Sequence, residues 1–265
     1  MKNPIFRRSL AVVSNILLLA ACHHADPDPV PNGCQFVYSY GSGNYFAYFF
    51  NAAGQLTAAR APTAFGELHY DYSYAGSQVK LPVTYGINTI WEYWLLTLNA
   101  QGYVAMATNY FNVGGQLRQQ ATFSYDASGH LTGYHSDSYQ LGVPTTVSES
   151  LRLRLDYQNG DLTQVFDSLR NSLTKVEHSS QANHLQLPFL VENIGLPSIN
   201  ISPGLLPLLG KPTAHLISAC RVVQPVSPYS YSATFTYMLD GNGQVARFTT
   251  NNGSPYTYVL TSTCP

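Results

Sequence analysis

Large and small polar side chains alternate along much of the chain, which is the pattern of a half-buried β-strand. Residues 69–74 and 256–260 show it, and it is clearest in residues 229–237, where Ser, Thr and Ala separate Tyr229, Tyr231, Phe235 and Tyr237. Because successive side chains of a strand point to opposite faces, each segment predicts a strand with one aromatic face and one hydroxyl-bearing face.

A turn motif recurs between these segments, with Asn or Asp three residues before glycine. It occurs at Asn51–Gly54, Asn99–Gly102, Asn112–Gly115, Asp126–Gly129 and Asp240–Gly243. The spacing suits a type I turn in which the Asx side chain caps the first position and glycine takes the left-handed conformation of a bulged hairpin. Asn159-Gly160 is a tighter variant. The motif predicts a succession of up-and-down hairpins.

Residues 183–215 break this pattern, because they are rich in leucine, isoleucine and proline without alternation. A short helix is expected there, with Ser202 as N-cap, Pro203 at its first position and Gly210 as its stop. The predicted fold is therefore all-β: a long antiparallel up-and-down meander forming a strongly curved or barrel-like sheet, with one apolar, partly helical insertion at about residues 183–215. We expect the insertion to fill the concave face, and the alternative is a docking surface for a partner or a membrane.

Lys2, Arg7 and Arg8 precede the apolar stretch Leu10–Ala21, which has the pattern of a signal peptide. The stretch ends in Leu19-Ala20-Ala21-Cys22, which resembles the lipobox of bacterial lipoproteins and implies lipidation, including palmitate, at Cys22. An ordinary secretory signal with an incidental Cys22 is the alternative. The expected organisation is a lipoprotein signal peptide at 1–21, a Pro-rich tether at 22–33 and a single β-sheet domain at 34–265.

The residue after Cys22 is His23 rather than Asp, which by resemblance to lipoprotein sorting rules implies the outer membrane. Asp26 and Asp28 resemble the acidic export signals of Bacteroidetes surface lipoproteins, which implies exposure at the cell surface. Removal of residues 1–21 leaves ten basic and fourteen acidic side chains, a net charge of −4. This balance argues against a nucleic-acid partner.

One turn carries a further resemblance. Residues 125–134, Tyr-Asp-Ala-Ser-Gly-His-Leu-Thr-Gly-Tyr, resemble a YD repeat of the Rhs and teneurin type. Residues 34–264 as a whole are similar to Bacteroidetes outer-membrane lipoproteins of uncharacterised function that carry YD-like hairpins. That resemblance implies a porin-like, strongly curved or barrel-like sheet in the cell envelope, without an established activity.

Three cysteines remain once Cys22 carries lipid, and they predict one disulfide bond and one free thiol. Cys34 opens the first predicted strand and Cys264 closes the last, so these two meet if the sheet curls shut. Pairing of Cys220 with Cys264 is the alternative.

No catalytic, cofactor or metal residue is assigned, because the sequence contains no metalloprotease, hydrolase-elbow, phosphate-loop or dinucleotide motif. The pairs His69/Asp71 and His135/Asp137 place imidazole and carboxylate on one side of a strand, but each is interpreted as an exposed polar face. Four glutamates cannot be placed from sequence alone: Glu67, Glu92, Glu149 and Glu177.

An aromatic set could stack on a ligand: Tyr70, Tyr72, Tyr74, Trp91 and Trp94. The favoured function is a binding or interaction module for a glycan, a peptide or another envelope protein, held to the membrane by its N-terminal lipid. The alternatives are a purely structural envelope component and, less favoured, a hydrolase. An open aromatic concavity would favour binding, and a concavity filled by residues 183–215 would favour the structural role.

Overall fold

A computed structural model describes residues 34–41, 43–63, 66–85, 89–111, 115–140, 143–185, 190–196, 201–224 and 231–263. For residues 63, 89–91, 144 and 194–195 it describes the backbone alone. The predicted signal peptide and tether lie outside the described residues.

The described chain consists almost wholly of β-strands. They are β1 Cys34–Tyr40, β2 Asn44–Phe50, β3 Leu56–Thr63, β4 Gly66–Asp71, β5 Ser73–Ala75, β6 Gln78–Tyr85, β7 Thr89–Leu98, β8 Val104–Phe111, β9 Gln116–Tyr125, β10 Leu131–Gln140, β11 Val143–Gln158, β12 Asp161–Asp167, β13 Ser172–Ala182, β14 His215–Gln224, β15 Ser232–Leu239, β16 Val245–Asn251 and β17 Pro255–Ser262. Two short helices lie between β13 and β14: α1 Leu190–Gly195 and a 3-10 helix Pro203–Leu208.

Apart from β4 and β5, each strand pairs antiparallel with its neighbours in the chain, and β17 returns to pair with β1. The closing register matches Phe36 with Ser262 and Tyr40 with Tyr258. Both β4 and β5 pair with β6, so they form one interrupted wall strand. The described residues thus form a closed sixteen-stranded barrel. The predicted all-β, barrel-like meander is confirmed.

The up-and-down order gives the barrel two ends. The terminal end holds the start of β1, the end of β17 and four of the Asx-x-x-Gly turns, after β2, β7, β9 and β15. In each, the glycine N–H donates to the Asx backbone carbonyl at 2.9 to 3.1 Å, as in Gly54 to Asn51. The Asx side chain accepts backbone N–H bonds, for example from Ala53 and Gln55 to Asn51. The predicted turn is confirmed at these four positions.

The remaining turns add detail to that prediction. At the terminal end, Asn159 and Gly160 both have positive φ, 54° and 86°, as a tight two-residue hairpin requires. Residues 112–114 of the fifth Asx-x-x-Gly motif lie outside the described part. That motif joins β8 to β9 at the opposite end, which we call the mouth.

We call the segment between β13 and β14, residues 183–214, the plug, because its described residues pack inside the barrel. It leaves and rejoins the wall at the terminal end, where the Asn183 N–H donates to the Ala214 carbonyl at 2.8 Å. Pro203 starts the 3-10 helix as expected, but the Ser202 side chain makes no capping bond, and the C-cap is Leu209 rather than Gly210. No helix among the described residues is long and apolar enough to cross a membrane.

The plug fills the terminal-end part of the interior with apolar side chains. Its buried residues join the inward faces of the strands in one core: Leu185, Leu190, Val191, Leu196, Ile201, Leu205, Leu206 and Leu209. Two wall tyrosines fix it, because the hydroxyl of Tyr48 donates to the Pro203 carbonyl at 2.8 Å and that of Tyr72 donates to the Gly204 carbonyl. The insertion therefore fills the terminal-end part of the concave face, as expected, but it leaves the mouth of the barrel open.

The two faces of the wall differ in polarity. Inward side chains are apolar and buried, among them Tyr48, Leu81, Leu96, Leu131, Leu155, Leu162 and Phe248. Many exposed side chains that alternate with buried ones are polar or charged: Lys80, Gln120, Thr122, Arg152, Arg154, Lys175, Glu177, Arg221, Thr234 and Thr236. A smaller set of exposed side chains is apolar, namely Leu95, Met106, Val147, Met238 and Val259. The core of this barrel is therefore its own interior.

Of the cysteines, Cys34 is disulfide-bonded and Cys220 is a free, buried thiol. Since Cys220 is free, the alternative pairing of Cys220 with Cys264 does not fit this structure. Cys264 lies outside the described residues, so the pairing of Cys34 with Cys264 stays a prediction.

Candidate functional site

A cavity of about 650 Å³ opens at the mouth, beyond the plug. Its walls come from β7, β9, β10, β11 and the turn after β12, and Ser202 of the plug contributes to its lining. The lining residues are Glu92, Trp94, Arg118, Gln119, Tyr134, Ser136, Ser138, Tyr139, Glu149, Ser150, Leu151, Arg170 and Ser202. The volume lies within the range of about 300 to 1,000 Å³ that is usual for small-molecule sites.

One side of the cavity carries an ion pair. Arg118 Nη1 lies 2.6 Å from Glu92 Oε2, and the indole N–H of Trp94 donates to Glu92 Oε1 at 3.2 Å. The register between β8 and β9 shifts after Asn109, which pairs with Gln119. A bulge of this kind re-aims side chains, and here both Arg118 and Gln119 reach the lining.

The other side carries a second ion pair. Arg170 Nη2 lies 2.7 Å from Glu149 Oε1, and Arg170 Nη1 lies 3.1 Å from Oδ2 of the buried Asp167. The other oxygen of Asp167 accepts the backbone N–H groups of Leu169 and Arg170 at 3.0 and 3.2 Å. This carboxylate therefore fixes the turn between β12 and β13 and, through it, the position of the Arg170 guanidinium.

Uncharged polar groups occupy the space between the two ion pairs. The Gln119 amide donates to the Ser136 hydroxyl at 2.6 Å. Ser138 and Ser202 add further hydroxyls to the lining, and so does Tyr134. The cavity thus offers neutral donors and acceptors together with charges that are already paired.

Both glutamates of the cavity are ion-paired. Glu92 and Glu149 line the same cavity, and each carboxylate accepts a hydrogen bond from a guanidinium, that of Arg118 or Arg170. Among the described residues, no group of three or more His, Cys, Asp or Glu side chains is placed to hold a metal ion.

The two His/Asp pairs are arranged differently from each other. His69 Nε2 lies 2.9 Å from Glu67 Oε2, while Asp71 pairs with Arg60 at 3.0 Å.

His135 Nε2 does approach Asp137 Oδ1, at 3.4 Å. However, the hydroxyl of Ser150 donates to Asp137 and not to the imidazole. A nucleophile must reach its base, so this trio lacks the order of a catalytic triad.

The fourth unplaced glutamate, Glu177, lies on the outer wall, ion-paired with Arg221 at 3.2 Å.

The aromatic set divides between the core and the cavity. Tyr70 and Tyr72 are buried against Gly204 of the plug, so they hold the plug and do not form an open stacking face. Tyr74 packs half-buried against the same core. Trp94 lines the cavity, although only 4% of it is exposed. The side chain of Trp91 lies outside the described residues.

The two arginines of the cavity were not singled out by sequence reasoning. Arg118 and Arg170 each follow a leucine and precede polar residues, and no local motif marks them. Only closure of the barrel and the bulge in β9 bring them to one mouth. The glutamates Glu92 and Glu149 could be named from the sequence but not placed.

A closed antiparallel barrel with an internal plug and a polar cavity at its mouth defines the class of fold. No family model matches this sequence, and no curated protein matches it either. Solved structures do match its fold. One is a porin-like protein from Bacteroides uniformis ATCC 8492, with a TM-score of 0.63 and 20% identity over 88% of this chain and 99% of that one.

A second similar structure is a porin-like protein from Bacteroides vulgatus ATCC 8482, with a TM-score of 0.59 and 12% identity. That match covers 86% of this chain and 96% of the other. At these identities the likeness shows a shared porin-like fold. It confirms the architecture that the family resemblance of residues 34–264 implies. It does not test lipidation or ligand binding.

Proposed function

We propose that this protein is a lipid-anchored binding module of the bacterial outer membrane that takes a polar ligand into the cavity at the mouth of its barrel. The observation that carries the proposal is the open cavity between the ion pairs Glu92–Arg118 and Glu149–Arg170. A concave pocket on which a few well-positioned polar groups converge is the usual form of a ligand site.

The proposed anchor is a lipid on Cys22, within the lipobox-like sequence Leu19-Ala20-Ala21-Cys22. The folded barrel starts at Cys34, at the terminal end. The cavity opens at the other end. A lipid attached through the short segment before Cys34 leaves this mouth free to meet a ligand from the aqueous phase.

The polarity of the wall supports anchoring by lipid rather than by insertion. A membrane-spanning barrel presents an apolar outer band to lipid and keeps a polar interior. Here the plugged part of the interior is apolar, and the outer wall carries charged side chains, including Arg152, Arg154 and Lys175. An Arg or Lys facing lipid at mid-membrane costs about 2 to 4 kcal/mol. We infer that the wall faces water and that the plugged barrel conducts no ions.

A purely structural envelope role is the second candidate, and the plug favours it because it fills the terminal-end interior. The cavity argues the other way, since a barrel that only needed a solid core has no use for ion pairs held at an open mouth. The hydrolase alternative is not favoured, because Glu92 and Glu149 are each ion-paired with an arginine.

The anchor is tested by metabolic labelling with a palmitate analogue in a host that lipidates exported proteins. The wild-type chain should carry the label and fractionate with membranes, and Cys22→Ser should lose both properties. Cys220→Ser is the matched control, because its thiol is buried and free. Label that persists in Cys22→Ser would contradict the proposed anchor.

The binding role is tested on the purified full chain by a thermal-shift screen against sugars, peptides and polar metabolites. A ligand of the cavity should raise the melting temperature of wild type and of Arg154→Gln, whose guanidinium lies on the outer wall, but not of Arg118→Gln. If every ligand found acts equally on both variants, the cavity is not the binding site. If no compound shifts the wild type, the structural role is favoured.

A further inference from the structure

The mouth cavity has a charge balance that restricts its ligands. Its lining contains two guanidinium groups, on Arg118 and Arg170, and two carboxylates, on Glu92 and Glu149. Each guanidinium lies within 2.7 Å of one of these carboxylates, and Arg170 also contacts the buried Asp167 at 3.1 Å, so neither guanidinium lacks a carboxylate partner. An anion or a cation would have to separate a pair or leave its own charge unmatched. The cavity is therefore built for a ligand that is polar and uncharged.

Each ion pair presents donors and acceptors side by side. A guanidinium has five N–H donors and a carboxylate about four lone-pair sites, and the contacts within each pair use only some of them. About half of the Arg118 and Arg170 side chains is exposed, 47% and 49%. The unused groups therefore remain accessible to a ligand in the cavity.

Two hydroxyls on adjacent carbon atoms of a sugar ring complement such a pair. Each hydroxyl both donates and accepts, so one can donate to the carboxylate while its neighbour accepts from the guanidinium. Such bonds to charged groups are stronger than neutral ones. With one pair on each side of the cavity, two diol units of one molecule can be held at once.

The floor between the pairs suits the rest of a sugar. Ser136, Ser138 and Gln119 supply neutral hydrogen-bonding groups, and the half-buried Leu151 supplies apolar surface for the C–H face of a ring. A peptide, in contrast, brings a repeating amide and variable side chains, and nothing in the lining forms an open strand edge for it.

We propose that the cavity binds a neutral oligosaccharide, through vicinal hydroxyls held by the Glu92–Arg118 and Glu149–Arg170 ion pairs. This inference rests on the binding role proposed above and names its ligand class. A cavity of about 650 Å³ accommodates a short chain or a chain end rather than the middle of a bulky polymer.

The test is a glycan array probed with the purified full chain, carrying neutral, uronate, sialylated and sulfated oligosaccharides, with a random peptide library in parallel. Hits are followed by titration calorimetry. We expect neutral glycans to bind, with affinity changing less than about twofold between low and high salt, because no net charge is neutralised. Sulfated or uronate glycans should bind more weakly than their neutral counterparts.

Two conservative variants test the site. Arg118→Gln and Glu149→Gln each remove one charge without changing side-chain bulk much, and both lie on exposed or half-exposed positions. Each should weaken glycan binding about tenfold or more, since hydrogen bonds to charged groups are lost. Arg154→Gln, on the outer wall, and Glu177→Gln should bind as wild type does. Far-UV circular dichroism establishes that each variant keeps the barrel.

The outcomes separate the two proposals. Binding of peptides or charged metabolites that is lost in Arg118→Gln would keep the binding module and overturn the glycan assignment. Selective binding of anionic glycans with steep salt dependence would also overturn it. If wild-type protein binds nothing in either library, both proposals fail.

Discussion

The hydroxyl of Tyr72 in the wall donates a hydrogen bond to the backbone carbonyl of Gly204 in the plug. Tyr72 stands at the break between β4 and β5, where its own N–H donates to the Thr57 carbonyl at 3.0 Å. The interruption of one wall strand thus coincides with the point at which the wall holds the plug.

Tyr72→Phe removes this bond and leaves the buried Gly204 carbonyl without that donor. We expect the free energy of unfolding to fall by about 1 to 3 kcal/mol, the cost of an unsatisfied buried group. Urea denaturation followed by tyrosine and tryptophan fluorescence measures it. Tyr256→Phe, at an exposed position, should change little. Equal midpoints for Tyr72→Phe and wild type would show that the bond does not stabilise the plug.

Alanine substitutions at two glycines, Gly54 and Gly210, distinguish the cost of backbone strain from the cost of a steric clash. Gly210, after the 3-10 helix, has a φ of 92°, and a Cβ there would lie 2.5 Å from the Gly129 carbonyl oxygen. Gly54 has a φ of 75° with open space around it. Gly54→Ala should cost about 1 to 2 kcal/mol from backbone strain. Gly210→Ala should cost clearly more in the same denaturation assay, because the plug must also shift away from the wall.

Glu192 in α1 should make stability depend on pH. It is 2% exposed, and its Oε1 atom has no hydrogen-bond partner. Burial raises the pKa of Glu192 to about 7, from an ordinary value of 4.5. Its interacting neighbours include the phenols of Tyr157 and Tyr237 and the thiol of Cys220, none of which carries a positive charge.

Because the folded state holds this proton more tightly than the unfolded state, stability should fall as pH rises from about 4.5 to 7 and then level off. The loss from this group is up to about 3 kcal/mol. Glu192→Gln should abolish it and be more stable than wild type at pH 8. Denaturation at pH 5 and pH 8 measures the difference, with Glu177→Gln as an exposed control. An unchanged pH profile in Glu192→Gln would contradict the assignment.

The disulfide of Cys34 should connect the first strand of the barrel to the residues that follow its last strand. Phe36 pairs with Ser262, and Gln35 exchanges hydrogen bonds with Thr263 at 2.9 Å. Continued by one more residue, this register pairs Cys34 with Cys264. Non-reducing peptide mapping should recover that cross-linked pair, and its reduction should lower stability by about 2 to 5 kcal/mol. A Cys22–Cys34 peptide instead would contradict both this pairing and the lipid anchor.

Much of the fold could be predicted from local signals. Period-2 alternation predicts strands, and the Asx-x-x-Gly turns predict hairpins because their geometry is set within five residues, as at Asp126, whose side chain accepts the N–H of His130. The loss of alternation in residues 183–215 predicts the insertion that became the plug. These features depend on neighbours in the sequence.

The candidate site could not be predicted in the same way, since its residues meet only after the barrel closes. Glu92 and Arg118 are separated by the whole of β8, and the bulge that turns Arg118 inward has no sequence mark. Tyr70 and Tyr72 look like a ligand platform in sequence, because alternation defines a face but does not show what covers it. The plug, which is far away along the chain, covers them.

The pairing of Phe36 with Ser262 has a consequence for how the protein folds. As the chain is synthesised from its N-terminus onwards, β1 can pair with β2 on one side only. Its other edge stays open until β17, the last strand of the barrel, has been made. Unpaired strand edges promote aggregation, and a contact between the first and last strands makes for slow folding. The sixteen-stranded ring therefore acquires its final stability late, and the growing sheet has two exposed edges until it closes.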